Sequence, residues 1–182
     1  MPFLTPQANG ELNVLKTYIL QQLAQIRSTA HGLTNDQAHS TPTPSSLNIS
    51  GLLLHTAQVG LFWTSAVLAA PNRLPLDSIA DEDRSTETLS ADGRLLPEIL
   101  KYFDQAVQEI KHNLESIADL NVLVPTPDSP WIPANITHWE GRWCLQHVIA
   151  EIARHAGHAD IIRETIDGKG SYELNALADS AG

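Results

Sequence analysis

The run from Trp139 to Gly168, WEGRWCLQHVIAEIARHAGHADIIRETIDG, reads as one long helix. Val148, Ile152 and Ala159 form an apolar stripe along it, so the helix must bury one side against other long elements. Three further segments have the same character. The first runs from about Gly10 to Ala30, with Leu12, Leu15, Ile19, Leu23, Ile26 and Ala30 at steps of three and four. The second begins near Asn48 or Ser50, either of which can cap it, and stops before Pro71. The third begins near Leu95, tolerates Pro97 in its first turn and ends around Asp119. Four long amphipathic segments without convincing strands predict an all-α fold, a four-helix bundle.

The connections are unequal. Gly32 is a terminator for the first helix, and Thr34 with Gln37 has the spacing of a capping box, which predicts a short turn of helix. The stretch STPTPSS from Ser40 to Ser46 is a loop. The acidic stretch from Pro71 to Gly93 reads as an ordered excursion or lid. The stretch from Val122 to Glu140 contains four prolines, and Trp131, Trp139 and Trp143 read as wedges that fix it against the last helix. A chain of 182 residues suits one domain over residues 1–182, with its core at about 8–170 and a short tail at 171–182.

Composition narrows the function. Twenty-one acids against 11 bases give a formal charge of -10, which argues against nucleic acid and anionic membrane surfaces as partners. No uninterrupted apolar run reaches the ~18–20 residues of a membrane span. The start, MPFLTPQANGEL, lacks the pattern of a signal peptide, and a single cysteine suits a reducing compartment. A cytoplasmic location is the default expectation. There is no Gly-rich phosphate loop, no GxSxG and no CxxC.

What the last helix does carry is a set of metal-ligating side chains. Glu151 and His155 are four residues apart and so share a face, one turn apart. His147, His158 and Cys144 lie on the same side of the helix. Residues seven apart are ~10 Å apart along the axis, too far to share one ion. That leaves His147 with Glu151, Glu151 with His155, or His155 with His158, and spacing does not choose among them. On the second helix, Leu52, His55, Val59, Phe62 and Ala66 share a face, so His55 points toward the core. A plain helical ion pair and a hydrogen-bonded core histidine are the alternatives to a metal site. Cys144 reads as a small buried residue, and His31, His39, His112 and His138 are given no role.

The pattern PSSLNISGLLLHTAQV, followed much later by RWCLQHVIAEIARHAGHADIIRETIDG, resembles the DinB-like superfamily. It is most similar to the branch near mycothiol-dependent maleylpyruvate isomerase and the mycothiol S-transferases. The resemblance implies a four-helix bundle holding a divalent metal through His55, Glu151 and His155, with zinc the first choice and nickel, iron or manganese alternatives. It also implies a low-molecular-weight thiol such as mycothiol as cosubstrate, a small electrophile as acceptor, and a homodimer. The isomerase carries an additional C-terminal domain, whereas only SYELNALADSAG follows Gly170 here, so the expectation is thiol S-transfer rather than isomerisation. Two other functions use the same residues: a metal-containing bundle that binds a ligand or partner without catalysis, and a metal-assisted hydrolase that needs no thiol.

Overall fold

The computed structural model describes residues 5–74, 89, 91, 93–127, 129 and 132–180. Their elements are α1 (Glu11–Ser28), α2 (Asn35–His39), α3 (Ile49–Ala69), α4 (Leu96–Ser116), β1 (Leu123–Pro125), β2 (His138–Glu140), α5 (Gly141–Asp167) and α6 (Ser171–Ser180). The four long helices, α1, α3, α4 and α5, fall where periodicity predicts them. α3 is the central one and packs on both α4 and α5, while α1 closes the bundle against α5.

Local chemistry sets the helix starts. The side chain of Thr34 accepts the Gln37 N–H, and the Gln37 side chain accepts the Thr34 N–H, a complete capping box at the head of α2. Asn48 caps α3 by accepting the Gly51 N–H. Asn35 reaches from α2 to accept the Leu96 N–H, which ties the start of α4 to the α2 turn. α5 ends at Gly168, whose φ of 79° is the left-handed conformation glycine tolerates.

α3 differs in kind from the other helices. α4 is sharply two-faced, whereas α3 is buried on nearly every side from Ile49 to Gly60. By length and composition α3 could cross a bilayer, yet 72% of its most apolar 18-residue window is buried inside the bundle, as befits a core helix. Glycine permits two close approaches along it. A Cβ at Gly51 would lie 1.9 Å from the Leu89 carbonyl oxygen, so the chain returning toward α4 crosses α3 one turn before His55. A Cβ at Gly60 would lie 2.6 Å from Cδ1 of Ile110 on α4.

Three expectations are corrected. The proline-rich connection contains a short antiparallel ribbon, with Leu123 opposite Glu140 and Pro125 opposite His138. Its strands have three residues each, too few to show an alternating pattern. The ribbon anchors the head of α5: Gly141 N–H donates to the Val122 carbonyl and Arg142 N–H to the Leu120 carbonyl. The third long helix stops at Ser116 rather than Asp119. The segment read as a tail forms α6, which buries Leu174 and pairs Asn175 with Gln25 of α1 through two amide hydrogen bonds of 2.8 and 3.0 Å. Most of the acidic 71–93 stretch and Trp131 lie outside the described residues.

Candidate metal centre

His55 and His155 are both buried, and they come from different helices. Their rings meet edge to face with centroids 4.6 Å apart. Glu151 sits one turn before His155 on α5, with Oε1 3.8 Å from His155 Nε2. One ligand atom from each of the three residues can be chosen so that all lie within 4.8 Å of one another. Of the pairs that spacing left open on α5, Glu151 with His155 is therefore the one that meets His55.

Burial governs the state of these imidazoles. It pushes His55 down to about 4, helped by neighbouring His155 and opposed by the Glu151 carboxylate. Burial likewise lowers His155, against the pull of Glu151. Both rings are thus neutral near pH 7, the form that offers a lone pair to a metal. Neither ring nitrogen of His55 has a hydrogen-bond partner among the described residues, and nor does Nδ1 of His155. Buried polar atoms are normally partnered, because desolvation without a hydrogen bond costs free energy. One nitrogen from each of these two imidazoles, beside a carboxylate, forms a donor set suited to a small divalent ion. Ligand atoms on such an ion stand about 3–4 Å apart at bond lengths of about 2.1 Å, so a modest inward shift of the side chains is enough.

The remaining candidates go elsewhere. His147 stacks on Trp143 with centroids 5.1 Å apart, and Trp143 in turn stacks on Trp139 at 4.1 Å. Trp63 of α3 meets all three rings edge-on. Trp139 and Trp143 thus brace the ribbon against α5 as expected, but His147 belongs to that stack. Trp63 was missed, since the face predicted for the second helix carried Phe62 instead. Its position eight residues after His55 was the available signal. Cys144 is fully buried, and burial pushes its thiol up to about 12, which makes it a packing residue. His39, given no role, holds a joint: its ring nitrogens lie 2.8 Å from the Asn35 carbonyl and 2.9 Å from that of Arg94. His158 lies against His155 with centroids 5.5 Å apart, and its Nδ1 is buried without a partner.

A family model described as mycothiol-S-transferase, a DinB-like family, matches residues 14–168, which include all four long helices but for the first turn of α1. No curated protein matches the chain.

Proposed function

We propose that this chain, which belongs to the mycothiol-S-transferase family, transfers a mycothiol-type thiol to a small electrophile at a metal centre held by His55, Glu151 and His155. The observation that carries this reading is that one ligand atom from each of His55, Glu151 and His155 lies within 4.8 Å of the others, beside a buried His55 ring with no hydrogen-bond partner among the described residues. Two imidazoles and one carboxylate suit zinc, and three protein ligands leave room for a substrate atom. A divalent ion held there would lower the pKa of a coordinating thiol, so that sulfur is nucleophilic at neutral pH.

The chain's own residues divide the remaining work. α3 and α5 hold the two imidazoles neutral by keeping water from them. Glu151, more exposed than either histidine, faces the open side and brings the site's net charge to about +1 with a divalent ion. In the transfer the thiol sulfur bonds to the electrophilic carbon, the leaving group departs with the old bonding pair, and the thiol proton passes to solvent.

The test combines elemental analysis with kinetics. The purified protein should carry about one divalent ion per chain, and His155→Ala should lose it together with thiol-dependent consumption of chlorodinitrobenzene. Full metal stoichiometry in His155→Ala would refute the ligand assignment. Turnover that proceeds equally well without thiol would favour hydrolysis instead.

A further inference from the structure

A metal held by His55, Glu151 and His155 answers one nitrogen of each imidazole and leaves the other. Oε1 of Glu151 stands 3.8 Å from Nε2 of His155, so Nε2 is the nitrogen on the ligand side of that ring. Nδ1 of His155 is then the nitrogen left over, and it is buried with no partner among the described residues. A neutral imidazole that gives its Nε2 lone pair to a metal carries its proton on Nδ1. That N–H needs an acceptor. Ligating histidines almost always donate the proton of their second nitrogen, and a buried donor left without a partner is costly.

His158 is three residues beyond His155 on α5, so the two side chains are neighbours on the helix surface. Their rings meet with centroids 5.5 Å apart and planes at 60°. Nδ1 of His158 is also buried without a partner among the described residues. No solute reaches that nitrogen, so only a group inside the protein can answer it. Ring nitrogens lie about 1.1 Å from their centroid, so rings at this separation can bring two nitrogens to about 3.2 Å by turning about χ2, within hydrogen-bond reach. Two buried nitrogens, one that must carry a proton and one free to accept it, then satisfy each other. With Nδ1 accepting, the proton of His158 sits on Nε2. The ring borders the cavity at the Thr43–Leu47 loop, where water can accept that hydrogen bond.

Resting on the metal centre proposed above, we infer that His158 Nδ1 accepts a hydrogen bond from His155 Nδ1–H. That bond holds His155 in the tautomer and orientation that present Nε2 to the metal. His158 is a positioning residue: it touches a ligand, not the metal or the substrate.

The experiment reads metal affinity and a proton rather than turnover. The metal-free protein is titrated with zinc in competition with a chromogenic chelator. Zinc affinity should fall about 10- to 100-fold in His158→Leu, which keeps the bulk but offers no acceptor. His158→Asn puts an amide oxygen near the place of Nδ1 and should stay within about threefold of the unaltered protein. A packing role for His158 predicts the reverse order, with Leu the milder change. In the zinc-loaded unaltered protein, with isotope-labelled imidazoles, the His155 Nδ1 proton should appear as a slowly exchanging resonance coupled to a ring nitrogen of His158. If neither variant folds, that resonance alone decides. Zinc affinity in His158→Leu within about twofold of the unaltered protein overturns the inference, and so does a His155 Nδ1 that carries no proton. Failure of the unaltered protein to bind zinc is a different result: it defeats the metal centre itself before any variant is made, and takes the inference with it.

Discussion

Arg163 and His55 are both buried polar side chains, 1% and 4% exposed, and the fold treats them in opposite ways. The Arg163 guanidinium donates to both carboxylate oxygens of Asp167, at 2.9 and 2.8 Å. It also donates to the carbonyls of Thr29 and His31, at 2.7 and 2.8 Å. The two carbonyl bonds clamp the end of α1 to the end of α5, and the two to Asp167 hold the guanidinium in place within α5. The His55 ring has no such partner among the described residues. Burying a polar group is costly unless something answers it. At Arg163 the chain answers it, and the result is a structural joint. At His55 the chain keeps water away and leaves the nitrogens uncommitted, as a site for an external ligand requires.

Substituting each residue should therefore have opposite consequences. Arg163→Met leaves the Asp167 carboxylate and two carbonyls without their buried partner, and should cost about 3–5 kcal/mol in denaturant unfolding. The metal content of the protein that remains folded should be unchanged. His55→Leu, measured after metal removal, should unfold within about 1 kcal/mol of the unaltered protein, because an unpartnered polar group is replaced by a well-packed apolar one. The same variant should fail to rebind metal. If His55→Leu destabilises the metal-free protein as much as Arg163→Met does, His55 is a structural residue and the contrast is false.

A third treatment of burial lies about two turns before Glu151 on α5. Trp143 is sandwiched between Trp139 and His147, and edge contacts from Trp63 complete the cluster. Here rings satisfy one another by packing. Trp143 is 40% exposed, so Trp143→Ala should cost about 2 kcal/mol, below the 3–5 kcal/mol of a fully buried aromatic. Metal stoichiometry should not change. A variant that stays folded but loses metal would extend the site one turn toward the N-terminus, through His147.

These three clusters were unequally legible in the sequence. The long helices could be read because each repeats its apolar residues over many turns, as Leu15, Ile19, Leu23 and Ile26 do in α1. For the metal centre, helical spacing reduced the α5 ligands to adjacent pairs. It could not choose among them, because the deciding residue, His55, lies on another helix. The resemblance to a known family made that choice, and the fold brings one ligand atom from each of His55, Glu151 and His155 within 4.8 Å of the others. Arg163 went unread: its i,i+4 spacing to Asp167 was the available signal, but its partners at Thr29 and His31 are carbonyls, which no side-chain pattern records. α6 has too few turns for periodicity to speak.

The smallest effect concerns a half-buried group that the chain answers badly. Burial raises the Asp160 carboxyl to about 6, and the Glu164 carboxylate one turn on raises it further in the same direction. The ordinary value is 3.8. Between these two values the folded chain binds more protons at this position than the unfolded chain does. Stability should therefore fall as pH rises from about 4 to 6, and the full penalty is present above that window. Asn cannot ionise and has nearly the same helix propensity as Asp. Asp160→Asn should thus stabilise the protein at pH 8 by about 1 kcal/mol, a figure reduced from the full shift because Asp160 is only half-buried. At pH 3.5, where the carboxyl is largely protonated in both states, the gain should vanish. A gain of equal size at both pH values would mean that the amide improves packing, and that Asp160 carries no electrostatic penalty for Arg163 and His55 to be contrasted with.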